Sequence, residues 1–194
     1  MPTLAALLTE GKSLPEIQAH LASLDGEGRI RETRALSPKH LAKLYAVSAT
    51  GEPLTPEHMI ATAKNGEPDT KMVRWYGRNS LPAFRLFEKR FVRHDGGIYG
   101  YNHNPAFVTF VSGPGYFFCR VDDNKPSELL IDYTKVPAAA PEGWPAVKPN
   151  SAGLSRFVYK DMYDYCRRTS DDVVIGAATR LGKPIGQYFV LCRG

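Results

Sequence analysis

Two stretches of the chain gather side chains that can exchange protons. The first is Tyr159-Lys-Asp-Met-Tyr-Asp-Tyr-Cys-Arg-Arg168. As a helix it puts Asp161, Asp164, Tyr165 and Arg168 on one face, and as a strand it puts Tyr159, Asp161, Tyr163 and Tyr165 there. Either geometry sets a carboxylate beside a phenol or guanidinium. Such a neighbour shifts a carboxyl pKa and lets the group pass a proton to an apolar substrate. Asp164 and Tyr159 are the candidate donors or acceptors, against the plainer reading of an Asp–Arg salt bridge with tyrosines packed at a sheet edge. The second stretch is His94-Asp-Gly-Gly-Ile-Tyr-Gly-Tyr-Asn-His-Asn-Pro105. Imidazole titrates nearest neutral pH, which makes His103 a third acid–base candidate. The plainer alternative is a hairpin connection whose Asn and Asp cap turns. Two histidines nine positions apart with one carboxylate match no metal-ligand pattern, so no metal is expected.

Other chemistries are weakly represented. There is no G-x-S-x-G elbow. Cys119, Cys166 and Cys192 sit in apolar or aromatic company and form no C-x-x-C pair, as expected of inert core thiols in a reducing compartment. Gly113-Pro-Gly115 reads as a turn rather than a phosphate cradle, since no helix opening with Lys-Ser or Lys-Thr follows it. No cofactor is expected.

The net charge of +5 is concentrated in Lys71, Arg74, Arg78, Arg85, Lys89, Arg90 and Arg93, opposed there by Glu88 alone. Clustered arginine suits an anion, an acidic partner or nucleic acid, and Trp75 and Phe84 interleave with it as in single-strand binding platforms. A solvated basic face is the simpler explanation. Acidic residues return soon afterwards, which argues against nucleic acid.

The elements that must position these groups divide the chain in two, within one domain spanning 1–194. Residues 1–66 read as helical. Ser13-Leu-Pro-Glu16 is a capping box ahead of Ile17, Leu21 and Leu24, Ser37-Pro38 opens a second helix through Leu41, Leu44 and Tyr45, and Thr55-Pro56 opens a third, expected to reach Lys64. Residues 67–194 read as β-rich. Phe107–Val111 and Tyr116–Val121 flank a glycine turn, and Asp122–Pro126 leads to Leu129–Tyr133. Val173–Thr179 pairs with Ile185–Cys192, where neither face of the second strand is clearly polar, so both are expected to be covered or one to line an enclosed cavity. Ser80–Arg93 fits a helix or a strand, and proline-rich 136–153 is expected to be an ordered or semi-ordered loop rather than a domain linker.

From Phe87 the order of motifs resembles the GXWXG proteins with their companion C-terminal domain of unknown function. Phe87-Glu-Lys-Arg-Phe91 is similar to that family's "GKRF" strand, Phe157–Arg168 to its "MIYD…D-x-F-R" segment, and Asp171–Gly176 with Gln187–Arg193 to "DDTVLG…FFYLRR". Leu54–Met59 resembles the approach to the name motif, whose own positions hold Ala61, Ala63 and Asn65 here. The resemblance implies an antiparallel lipocalin-like β-barrel, or a strongly curved sheet, with an interior able to hold one small apolar ligand; with the short N-terminal helices read above, the expected class is α+β. It implies no reaction.

The 10 Tyr and 9 Phe fall mainly after residue 75, as an apolar pocket with few polar contacts requires. Tyr101, Phe118, Tyr133, Tyr163, Tyr188 and Arg90 are the candidate ligand contacts. The expected function is binding of a small hydrophobic molecule of lipid, polyketide or terpenoid type. The alternatives are a cofactor-independent isomerase, cyclase or hydratase on the same scaffold, and a basic-face adaptor for an acidic partner or nucleic acid. With no leader pattern at the N-terminus and no long apolar run, a cytoplasmic protein without a membrane span is expected.

Overall fold

The computed structural model describes residues 2–61, 72–82, 85–103, 113–151, 156 and 159–194. Four short helices come first: α1 (Leu4–Glu10), α2 (Leu14–Ala22), α3 (Gly26–Arg34) and α4 (Pro38–Val47). Their starts follow from capping chemistry. In α2 the Glu16 carboxylate accepts from the Ser13 amide at 2.9 Å, and these Ser13 contacts hold its pKa down at about 2. Ser37 Oγ accepts from the His40 amide at 3.3 Å, and Asp25 Oδ1 from the Gly28 amide at 2.7 Å. These contacts occupy amides that the first turn of a helix leaves unbonded. The segment opened by Thr55 forms a 3-10 turn, Pro56–Met59; its expected continuation to Lys64 lies outside the described residues.

Among the described residues eight strands follow: β1 (Val73–Asn79), β2 (Leu86–His94), β3 (Gly97–His103), β4 (Phe117–Asp122), β5 (Lys125–Asp132), β6 (Met162–Arg168), β7 (Val173–Arg180) and β8 (Lys183–Cys192). Each pairs antiparallel with the next, and β8 returns to β1 with Gly77 opposite Leu191, so the sheet closes as an up-and-down barrel. The ambiguous Ser80–Arg93 segment contributes a strand, as does the Tyr159–Arg168 segment, because barrel closure supplies partners on both sides of each. Phe107–Val111 lies outside the described residues. The β7–β8 turn uses two left-handed residues, Leu181 (φ 51°) and Gly182 (φ 74°), the combination that matches the twist of a two-residue hairpin. A register shift between Ala178 and Thr179, with Gly186 at φ 69°, ends regular alternation on β8 before Gln187, and Ile185 is left exposed.

Strand parity sorts the apolar residues into two bodies. Trp75, Phe91, Ile98, Phe117, Cys119, Leu129, Ile131, Cys166, Val174, Phe189 and Leu191 fill the barrel. Leu54, Met59 and Ile60 join them at one end, where the Trp75 indole N–H donates to the Met59 carbonyl at 2.9 Å. On the outside, α1, α2 and α4 pack Leu4, Leu8, Ile17, Leu21, Leu41 and Leu44 against Val173, Ile175, Val190 and Cys192. Both faces of β8 are therefore covered from Phe189 to Cys192, while Lys183–Gly186 are exposed. All three cysteines are buried free thiols. Among the described residues no helix is long and apolar enough to cross a membrane.

Candidate functional site

Inside the barrel, β2 places Lys89 among the inward residues Phe87 and Phe91, with only 2% of its surface exposed. Directly across on β3 stands Asn102, and from the far wall come Asp164 on β6 and Tyr133 just past β5. Lys89 Nζ donates to Asn102 Oδ1 at 2.9 Å and to the Tyr133 hydroxyl, and lies 3.5 Å from Asp164 Oδ2. The Tyr133 hydroxyl donates in turn to Asp164 Oδ2 at 3.1 Å, and Asn102 Nδ2 donates to the Gly115 carbonyl at 3.2 Å. Asp164 Oδ1, equally buried, has no hydrogen-bond partner among the described residues. An unpaired buried carboxylate oxygen costs about 1–3 kcal/mol.

The walls around this cluster are aromatic. Lys89 Nζ lies 4.8 Å from the ring centre of Phe117, 5.0 Å from Tyr133, 5.1 Å from Phe189 and 5.8 Å from Phe87. Three of these rings owe their position to glycine. Phe87 faces Gly77, Phe117 faces Gly100 and Phe189 faces Gly176 across neighbouring strands, and a Cβ at any of these glycines would collide with the facing ring. Glycine weakens a strand, and an aromatic ring folded over it from the next strand restores contact. Each ring thereby lies along the wall instead of across the lumen. Tyr159 does the same over Gly115 and stacks on Tyr133 at 5.3 Å.

Electrostatics follow from dehydration. Burial pushes the Lys89 amine down against the pull of Asp164, and burial pushes the Asp164 carboxyl up against Lys89 and the Tyr133 hydrogen bond. The Tyr133 phenol is held well above its ordinary range, again chiefly by burial. Both shifts of the ion pair point the same way, moving the proton from amine toward carboxylate, while the surrounding rings favour the ammonium. A recess of about 180 Å³ lies at the barrel end opposite Leu54–Ile60, and Tyr133 is among its lining residues, with Thr134, Asn150, Lys160 and Asp161. One residue thus joins the surface recess to the buried cluster. No group of histidine, cysteine, aspartate or glutamate side chains among the described residues is arranged to hold a metal ion.

The structure divides the sequence candidates. Asp164, Tyr133 and Tyr159 meet inside the barrel. His103 lies elsewhere: it is exposed at the end of β3 on the outer face, with its Nδ1 3.4 Å from the Tyr101 hydroxyl. Tyr101 is buried, but outside the barrel, beneath Trp144 of the proline-rich loop (ring centres 4.6 Å apart). Arg90 also faces outward, 3.1 Å from Glu88 and 3.3 Å from the Tyr101 hydroxyl. Phe118 packs on Tyr99, and Tyr188 on Tyr45 under the helices. Tyr163 stands next to the inward Asp164 and so faces out. The reason is parity: a residue adjacent to an inward one cannot share its side of the sheet. Asp161, at φ 55°, breaks alternation before β6 and lets Tyr159 and Asp164 point the same way.

Sequence reasoning missed Lys89 and Asn102. In Phe87-Glu-Lys-Arg-Phe91 a strand period puts Lys89 between two phenylalanines on one face, which is the available signal. The basic stretch to which Lys89 was assigned is not a single exposed face. Lys89 is internal, Arg74 and Arg90 both approach Glu88, and Arg78 donates to the Arg34 carbonyl at 3.0 Å.

No protein-family model, curated protein or solved structure matches this chain. The site therefore carries the functional argument.

Proposed function

We propose that the barrel receives one small apolar molecule bearing an oxygen function, held by its polar end at Lys89, Tyr133, Asp164 and Asn102. The observation that carries this reading is Asp164 Oδ1: a buried acceptor in an aromatic-walled interior that has no partner among the described residues and can accept from a bound donor. Four polar side chains taken out of water cost more than an apolar filling of the same volume, and a bound group that completes their hydrogen bonds recovers part of that cost. A largely apolar interior with a few convergent polar groups is the usual constitution of small-molecule sites. An eight-stranded barrel is also the size that holds one small ligand. A lipocalin-like kinship with the GXWXG proteins belongs to the same reading, as does the lipid, polyketide or terpenoid character of the ligand.

The opposed shifts of Lys89 and Asp164 favour a second reading on the same residues, in which the pair acts as acid and base on the bound molecule as a cofactor-free isomerase or hydratase would. Binding comes first in either case. Cinnamyl alcohol is a suitable probe, an apolar ring ending in a hydroxyl that can donate to Asp164 Oδ1. Calorimetric titration is expected to give saturable one-to-one binding, weakened about tenfold, or ~1.4 kcal/mol, by Asp164→Asn. Binding that is non-saturable, or that ignores this substitution in a folded variant, refutes the placement.

A further inference from the structure

We propose that Lys89 is a carbonyl-capturing amine: an aldehyde or ketone entering the barrel forms an imine with its Nζ. This rests on the reading that the lumen admits a small apolar molecule, and it narrows the ligand class to carbonyl compounds.

The geometry supplies each requirement of imine formation. The nucleophile must be a neutral amine, and Lys89 is a lysine removed from water with a carboxylate 3.5 Å away able to take its proton. A proton donor must stand at the carbonyl oxygen, and the Tyr133 hydroxyl touches Nζ and is itself linked to Asp164. The product is a protonated imine, a delocalised cation. The rings of Phe117, Tyr133 and Phe189, at 4.8–5.1 Å from Nζ, already surround a cation at that position, and Asp164 is its counter-ion. The barrel also excludes bulk water, which would hydrolyse an imine back to its parts.

The step balances without any oxidant or reductant. The Nζ lone pair attacks the carbonyl carbon, forming the C–N bond as the C=O π pair moves to oxygen. Both amine hydrogens end on that oxygen, which leaves as water while the nitrogen lone pair forms the C=N bond. Protonation of the imine nitrogen by the Asp164 carboxylic acid then gives the ion pair. Asp164 Oδ1, without a partner among the described residues, is the position from which the departing water can be held.

The test is reductive trapping in the wild-type protein. Cinnamaldehyde and cyanoborohydride are added at pH 6.5, where exposed lysines are almost wholly protonated, and adducts are mapped by peptide mass spectrometry. The expected result is one dominant adduct on Lys89, forming at least tenfold faster than the average adduct on exposed lysines such as Lys39 or Lys125. Because the map is read in the unaltered chain, it does not depend on a variant that folds. Retention of cinnamyl alcohol, which has the same skeleton without a carbonyl, is measured in parallel. If the alcohol is retained but Lys89 carries no adduct, the imine is refuted and the binding reading stands. If neither is retained, both fall. If Lys89 is modified no faster than exposed lysines, its amine has no special role and the inference is overturned.

Discussion

Strand β8 belongs to two interiors that are built on different principles. Its outward residues, Val190 and Cys192, meet leucines and isoleucines of the helices. Its inward residues, Phe189 and Leu191, face a lumen that holds a lysine, an aspartate, a tyrosine and an asparagine. The helix layer is a conventional apolar seam, where every buried side chain gains by leaving water. The lumen has aromatic walls of similar hydrophobicity but keeps a polar cluster at its centre, although burying ions and amides is unfavourable there. A fold seeking only stability would fill both alike, and the proposed binding site is placed in the lumen for that reason.

That comparison is open to direct attack. The largest effect is expected from uncoupling the buried pair. Asp164→Leu leaves the Lys89 amine without its carboxylate and should lower stability by about 3–5 kcal/mol, whereas the double variant Lys89→Met/Asp164→Leu should recover most of that loss. Denaturant unfolding of both variants reads this out. If the double variant is as unstable as the single, the pair is structural and the contrast between the two interiors collapses. In the helix layer, Leu41→Ala removes a fully buried side chain and should cost about 2–4 kcal/mol, with cinnamyl alcohol affinity unchanged. A parallel loss of affinity would show that the two layers are not independent.

A smaller effect is expected at the seam. His58 lies at the barrel end with its ring 6.1 Å from Trp75, and Arg193, which donates to the His58 carbonyl, sits over the same indole. Burial, aided by Arg168 and Arg193, lowers its pKa to about 4 from an ordinary 6.5. A depressed histidine pKa means that the unfolded chain binds more protons between these values. Its contribution to stability is therefore complete above pH 6.5 and falls away as the pH drops toward 4. The full shift would correspond to about 3 kcal/mol, and partial exposure of the ring reduces that to about 1–2 kcal/mol. Subtracting the pH–stability profile of His58→Gln from that of the wild type isolates the contribution; identical profiles would remove His58 from the acid sensitivity of the barrel.

Much of this molecule is legible before folding. Capping at Ser13 and Ser37, the β7–β8 hairpin and the double coverage of β8 follow from local chemistry and from a strand with no polar face, and both signals act over a few residues. Helices α1 and α3 were not anticipated. Helix α1 has Leu4, Leu7 and Leu8 at helical spacing but only seven residues, and packs on the other helices; α3 is largely charged and packs on β8 and β1, so both depend on tertiary contacts. The candidate site was half visible. Asp164, Tyr133 and Tyr159 announce themselves as polar residues in apolar company, but His103, Tyr101, Arg90, Phe118, Tyr163 and Tyr188 look equally suitable until strand parity assigns each a side.

What the sequence determined by itself is the inventory and the local signals: the caps, the β7–β8 hairpin, and a run in which Lys89 shares a face with Phe87 and Phe91 once that run is a strand. Only the closure of the barrel decided that Lys89 and Asp164, 75 residues apart, meet at 3.5 Å and that three phenylalanines fold over three glycines around them. Periodicity fixes the side of a sheet to which a residue points. Which residues stand opposite is set by how the strands close on one another, and that is a property of the whole barrel.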